Sequence, residues 1–293
     1  MSFVNAYRKV RSSVVAIVPK FYKERPSFPD IIGTGFIVSE LGIVCTCRHV
    51  AESALALYKP RGYQGFPASV LLFVGEVQGR EGVGVLNVDV EQVGAATLMG
   101  DAPKYLGPNP PDISFMLLSV TATPAVEFTG QALQEGEEVA FAGFPMGTRT
   151  LEAPGWLHQL SPTLQSGIVS AVLPYHADPM PHGFLLHANT QPGASGSPVF
   201  REDGRVVGMV YMVLRDWCNI GRGGNDAGYV VYSVPTSLTG CVPYGVIGQV
   251  LTHAEKGIPA KRRRTLREHV NSGEIIPLES GRSPFVEWRT GDG

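Results

Sequence analysis

Three residue types that together perform acyl transfer stand far apart in this chain, each in a local setting that suits its task. Ser195 lies in Thr190-Gln191-Pro192-Gly193-Ala194-Ser195-Gly196-Ser197-Pro198-Val199-Phe200, after a Pro-Gly turn and before an apolar strand. A nucleophilic serine needs its hydroxyl at the tip of a tight loop, with backbone N–H groups converging on a developing oxyanion. Gly193 and Gly196 permit the backbone conformations this demands. Small residues in a turn usually make nothing more than a turn, so the loop alone decides nothing. A catalytic serine also needs a general base, normally histidine, and a carboxylate to orient it. His49 stands in Ile43-Val44-Cys45-Thr46-Cys47-Arg48-His49-Val50-Ala51, and Asp112 in Pro110-Pro111-Asp112-Ile113-Ser114-Phe115-Met116-Leu117-Leu118. The chain order is His, Asp, Ser.

The elements that must position these groups read as strands. Gly33–Val38, a Leu41-Gly42 turn and Ile43–Thr46 form a hairpin, with His49 where the second strand gives way to a short helix. Asp112 stands at the mouth of a strand over Ser114–Val120. Further strands are expected at Ser12–Val18, Val70–Val74, Glu138–Gly143, Gly167–Val172, Phe184–Ala188, Pro198–Phe200, Arg205–Val213 and Tyr229–Val234, with Asp203-Gly204 as a hairpin turn. The chain has 293 residues, 44% of them hydrophobic, enough for one large core or two modest barrels. Its 35 glycines and 23 prolines suit short strands and tight turns. No strand run alternates with long helices, so the fold class is all-β. Helical spacing recurs only at Phe3, Ala6, Tyr7 and Val10, and at Val246, Ile247, Val250, Leu251 and Ala254, the latter followed by Gly257 and Pro259.

Five landmarks, GTGFIV…VCTCRHVAE, PDISFMLL, EEVAFAGFPMG, SGIVSAVL and PGASGSPVF…GRVVGMVY, resemble in order those of trypsin-like serine proteases, and within them the HtrA-like branch. The resemblance runs from about Val10 to about Ala254. It implies a chymotrypsin-like fold of two six-stranded antiparallel β-barrels, with short N- and C-terminal helices. Residues 1–256 would form the protease domain, with barrel one over about 12–122, barrel two over about 136–256 and Thr121–Glu137 as linker. Residues 257–293 would form a tail that is basic at its start and too short for the PDZ domain common in HtrA-like proteases. By the same resemblance His49 is the general base, Asp112 its orienter and Ser195 the nucleophile of a serine endopeptidase working through an acyl-enzyme. The N–H groups of Gly193 and Ser195 would form the oxyanion hole, with protein or peptide as substrate and no cofactor or metal. The S1 pocket would be lined by Asn189 and Thr190, by Tyr211, Met212 and Val213, and by Val230 on the next strand. With no acid at its base and no histidine in Tyr211–Val213, small or medium apolar residues are the expected preference.

Two departures from the family pattern stand out: Ser197 replaces a common glycine, and Tyr211 a small hydroxyl residue that supports the aspartate. The Gly-rich loop Cys218–Gly228 adjoins the expected pocket, and its ordering by a protein or ligand activator would make the enzyme a regulated one. Oligomeric state stays open. The rival expectation is a catalytically silent barrel serving as a binding or scaffold module.

The remaining features read blandly. Cys45, Cys47, Cys218 and Cys241 lack the second ligand pair a zinc site would need, and buried free thiols are expected. His158, His176, His182 and His187 are scattered. Net charge is −2, which favours no nucleic-acid partner. The run Lys261–Arg264 with Arg267 offers charge to an acidic partner but reads equally as a solvated tail. The N-terminus lacks a basic flank followed by an apolar stretch, and no run reaches the ~20 apolar residues of a membrane span. A cytoplasmic location is expected.

Overall fold

The computed structural model describes residues 2–20, 31–59, 61–77, 80–97, 107–108, 110–145, 147, 161–176, 178, 180–221, 229–258, 263–272 and 275–277. Barrel one is built from β1 (Val14–Pro19), β2 (Gly33–Ser39), β3 (Ile43–Thr46), β4 (Ala68–Val77), β5 (Arg80–Ala95) and β6 (Ser114–Leu118), in the order β5-β4-β1-β2-β3-β6, and closes through β5–β6 pairing. After the two-residue β7 (Val120–Thr121) and a coil to Glu137, barrel two follows. It comprises β8 (Glu138–Gly143), β9 (Thr163–Leu173), β10 (Gly183–His187), β11 (Pro198–Phe200), β12 (Val206–Gly221) and β13 (Tyr229–Pro243), closed in the order β10-β13-β12-β11-β8-β9. Two closed six-stranded antiparallel barrels are thus the architecture.

Two hydrophobic clusters hold them. One fills barrel one and runs on into Phe144, Phe200, Met209 and Val242 of barrel two, so the barrels share apolar packing rather than merely abut. The other, with Val139, Phe141, Val172, Phe184, Leu186, Val199 and Val210, fills barrel two. Each such side chain buried from water contributes roughly 1.5–3 kcal/mol. Helix α1 (Phe3–Val10) places Ala6 and Val10 in the first cluster, and α3 (Tyr244–Lys256) places Val246 and Ile247 there. α2 (Arg48–Leu55) follows β3.

The sequence reading missed β5, whose buried Leu86, Val88 and Val90 alternate as a strand should, but among glycines and acids that blur the pattern. It also ended β12 and β13 too early: Cys218–Gly221, expected in a loop, are ladder-paired with Tyr229–Tyr232. Residues 222–228 of that expected loop lie outside the described residues.

The tail's described part joins barrel one. β14 (Arg264–Thr265) pairs with β7 in parallel, and α4 (Leu266–Asn271) begins with a capping box between Thr265 and Glu268. β15 (Ile275–Pro277) adds to the edge of β5 as a seventh strand. Within the basic run, Arg263 is engaged by the fold: its guanidinium donates to the carbonyls of Leu41 at 2.7 Å and Leu118 at 3.0 Å. The Leu41-Gly42 turn that receives it has Gly42 at φ +76°, where a Cβ would lie 2.1 Å from the Val120 carbonyl oxygen.

Candidate active site

Antiparallel register brings His49 to Asp112. β3 and β6 pair with Thr46 opposite Ser114 and Ile43 opposite Leu117, so the chain leaving β3 emerges beside the chain entering β6. His49 sits in the first turn of α2, and Asp112 two residues before β6. The imidazole Nδ1 lies 2.7 Å from Asp112 Oδ2, and the backbone N–H of His49 donates to Oδ1 at 3.1 Å. The N-cap residue Cys47 makes no side-chain cap, so a carboxylate 63 residues along the chain satisfies the helix terminus instead. The positive end of the helix dipole favours that anion. Burial pushes the Asp112 carboxyl up, but hydrogen bonds from the His49 ring and from the backbone of His49 and Arg48 overcome it and hold the group below its ordinary range. The hydrogen bond to Asp112 raises the His49 pKa above its ordinary 6.5, against the opposing effect of burial. With the carboxylate ionised, the Nδ1 proton is fixed toward Asp112 and the Nε2 lone pair is left for other work.

The serine loop belongs to barrel two but is clamped by barrel one. Thr34, fully buried on β2, donates its Oγ1 hydrogen to the Gly193 carbonyl at 2.8 Å and accepts from the Phe144 N–H at 2.9 Å. Its backbone N–H donates to the Ser195 carbonyl at 3.1 Å, and its own carbonyl accepts from Thr46 Oγ1 at 2.7 Å. On the other side, Gly196 N–H donates to Val210 O at 2.8 Å, and Val210 N–H returns to Ser197 O at 2.9 Å. Gly193 and Gly196 have φ of +94° and +89°. A Cβ on Gly196 would lie 1.9 Å from the Thr34 carbonyl oxygen, so no other residue fits there. Among the described residues, neither the Gly193 nor the Ser195 N–H donates to a protein acceptor. Thr34 and Thr46 were missed at the sequence level. Their only signal is a threonine in each of two otherwise apolar strands.

Ser195 Oγ donates to the Tyr211 carbonyl at 3.4 Å, and no hydrogen bond joins it to His49 in this structure. The phenol of Tyr211 is pushed up by burial and by Cys241, Asp112 and Cys47, but makes no hydrogen bond to Asp112. Ser197 is fully buried with its Oγ against Gly143. Cys47 is buried beneath the pair, donating to Val210 O at 3.3 Å, and its Sγ lies with ring and carboxylate atoms of His49 and Asp112 in one group within 4.8 Å. Cys45, Cys47 and Cys241 are free and buried.

Of the expected pocket residues, Asn189 is exposed, while Thr190 is buried with its hydroxyl 2.7 Å from that of Thr239. Val213 pairs with Thr239 and Met212 with Gly240. Val230 pairs instead with Ile220, nine positions along β13 from Thr239, or roughly 30 Å of extended chain. The strand neighbour of Val213 is therefore Thr239. The sequence reading counted from the start of β13 without its long outer ribbon.

Residues 33–209 match the model of the trypsin-like peptidase domain, a stretch that includes strands of both barrels and all three site residues, and the chain belongs to that family. Among solved structures, the inactive form of a serine-to-alanine mutant of Rv3671c from M. tuberculosis is similar at 15% identity and a TM-score of 0.46, covering 87% of this chain and 93% of that one. An HtrA-type protease, AlgW, with a serine-to-alanine change and a bound tripeptide, is similar at 16% identity and a TM-score of 0.48, covering 86% of this chain and 63% of that one. Superposition on both is loose, and membership rests on the sequence match. No curated protein matches the chain.

Proposed function

We propose that this protein is a serine endopeptidase in which Ser195 is the nucleophile, His49 the general base and Asp112 the group that orients it. One observation carries the reading: Asp112 grips both the ring and the backbone of His49, and the Gly193 and Ser195 N–H groups of the serine loop are uncommitted. Ser195 Oγ attacks a peptide carbonyl carbon while His49 Nε2 takes its proton. The Gly193 and Ser195 N–H groups receive the oxyanion. On collapse, His49 returns the proton to the departing amine, and water repeats the sequence to free the acid. For this the Ser195 hydroxyl must turn from Tyr211 O toward His49, an adjustment that substrate binding commonly brings about. A small or medium apolar P1 residue, received beside Val213 and the Thr190–Thr239 pair, is the preference that fits. Regulation by a protein or ligand activator would act on this rotation.

The turn of the Ser195 hydroxyl toward Tyr211 O favours one rival, a silent protease-fold binding module. Labelling with a fluorophosphonate probe separates the two. Wild type labelled and Ser195→Ala unlabelled supports the peptidase. No labelling of wild type, with or without peptides, supports the module, and labelling that survives Ser195→Ala removes Ser195 from the role.

A further inference from the structure

We propose that Cys47, His49 and Asp112 form an inhibitory site for a thiophilic divalent cation of the zinc class. Each offers a ligand atom, and these atoms all lie within 4.8 Å of one another. Zinc takes sulfur at about 2.3 Å and imidazole nitrogen or carboxylate oxygen at about 2.0–2.2 Å, which sets tetrahedral ligands ~3.2–3.7 Å apart. Reaching that geometry asks the 2.7 Å His49–Asp112 hydrogen bond to open by about 0.5–1 Å and the sulfur, within 4.8 Å of both partners, to draw in by at most about 1.6 Å. The approach is from the cleft, since half of the His49 side chain and a fifth of that of Asp112 are exposed while Cys47 lies beneath them.

The charges close. The cation displaces the Cys47 thiol proton to solvent, and thiolate plus carboxylate then balance a 2+ ion in a half-buried place where an unbalanced charge would be costly. Asp112 now disfavours ionisation of Cys47, after burial itself. A cation between them turns that opposition into shared coordination. Three protein ligands leave a fourth position open to water. The sequence reading found no zinc pattern because it sought a second ligand pair of similar spacing. The third ligand instead comes from the mouth of β6, through the β3–β6 register.

Coordination through Nδ1 leaves the neutral imidazole with its proton on Nε2, so His49 can no longer accept one from Ser195. This inhibition rests on the proposed function; the binding itself does not. The test uses the full chain carrying Ser195→Ala, titrated with Co²⁺ as a spectroscopic stand-in. One equivalent should produce tetrahedral visible bands and a sulfur-to-cobalt charge-transfer band, displaced by Zn²⁺. Cys47→Ser, which keeps a donor for Val210 O, should lose the charge-transfer band and weaken Zn²⁺ binding by at least about 100-fold, the upper end of what an outer-shell partner alone is worth. Asp112→Asn should weaken binding while keeping the band. No charge-transfer band at stoichiometric Co²⁺, or a band that survives Cys47→Ser, overturns the site. With Ser195 restored, Zn²⁺ should block fluorophosphonate labelling, a chelator should restore it, and Cys47→Ser should be labelled with Zn²⁺ present. If nothing is labelled even without metal, the peptidase reading fails while the Co²⁺ result still decides the site.

Discussion

Replacing Thr34 by valine keeps the shape of the side chain and removes one oxygen, the Oγ1 that donates to Gly193 O at 2.8 Å and accepts from Phe144 N–H at 2.9 Å. Both bonds are inside the protein, and Thr34 is fully buried. Each is worth about 0.5–1.5 kcal/mol net, so Thr34→Val should lower stability by about 1–3 kcal/mol. The same oxygen fixes the carbonyl of Gly193, and with it the placing of the serine loop. If the Gly193 N–H loses its aim, the expected loss in kcat is about 10²–10³-fold, the usual effect of one oxyanion donor. Thr34→Ser is the matched control, since it keeps the oxygen and drops only a methyl group. Urea unfolding gives the first quantity, and the rate of hydrolysis or of fluorophosphonate labelling gives the second. If Thr34→Val and Thr34→Ser agree within about 0.5 kcal/mol, below what one buried hydrogen bond is worth, and also label at equal rates, the clamp is not what holds the loop.

Gly196→Ala should abolish labelling and cost at least about 1–3 kcal/mol by unfolding, because it combines φ +89° with a Cβ 1.9 Å from Thr34 O; a stable, labelled variant would refute the fit. Activity should rise with pH as His49 loses its proton, along a limb above the ordinary 6.5. Asp112→Asn should lower the rate by about 10⁴-fold and move the limb to lower pH, as read from a pH–rate profile. The stability linked to this pair follows two signs. The depressed pKa of Asp112 contributes fully above the ordinary 3.8 and is lost as pH falls through the folded value. The raised pKa of His49 contributes fully below 6.5 and is lost as pH rises through the folded value. The melting-temperature gap between wild type and Asp112→Asn should therefore be larger at pH 5 than at pH 8. Arg263→Ala removes two charge-assisted hydrogen bonds to the carbonyls of Leu41 and Leu118 and should speed proteolytic cleavage between residues 257 and 277, seen by mass spectrometry.

The fold was legible where local chemistry spoke plainly. Strands β3, β8 and β11 stand at their expected bounds, and α1 and α3 follow the expected helical spacing. β5 was not legible, since glycines and acids interrupt its alternation, and neither was the reach of β12 and β13, where Arg215, Asp216 and Asn219 in one and residues 235–240 in the other read as breaks. The tail showed only isolated apolar residues. Its pairing with β5 and β7 uses backbone groups, which every sequence offers alike.

What the sequence determined by itself was the chemical inventory: a histidine after one strand, an acid before another, and a serine in a loop that only glycine can shape. Turn chemistry and hydrophobic alternation are local, so they survive reading in one dimension. Only the tertiary structure decided what meets. The β3–β6 register set Asp112 against both the ring and the backbone of His49, and the buried Thr34 of barrel one, itself held by Thr46, took hold of a loop from barrel two. It also placed Cys47 under that pair, where no spacing rule would look. The contacts of Asp112 with His49, of Thr34 with Gly193 and of Cys47 with Val210 span from 63 to 163 residues of chain, and such distances close only when barrels do.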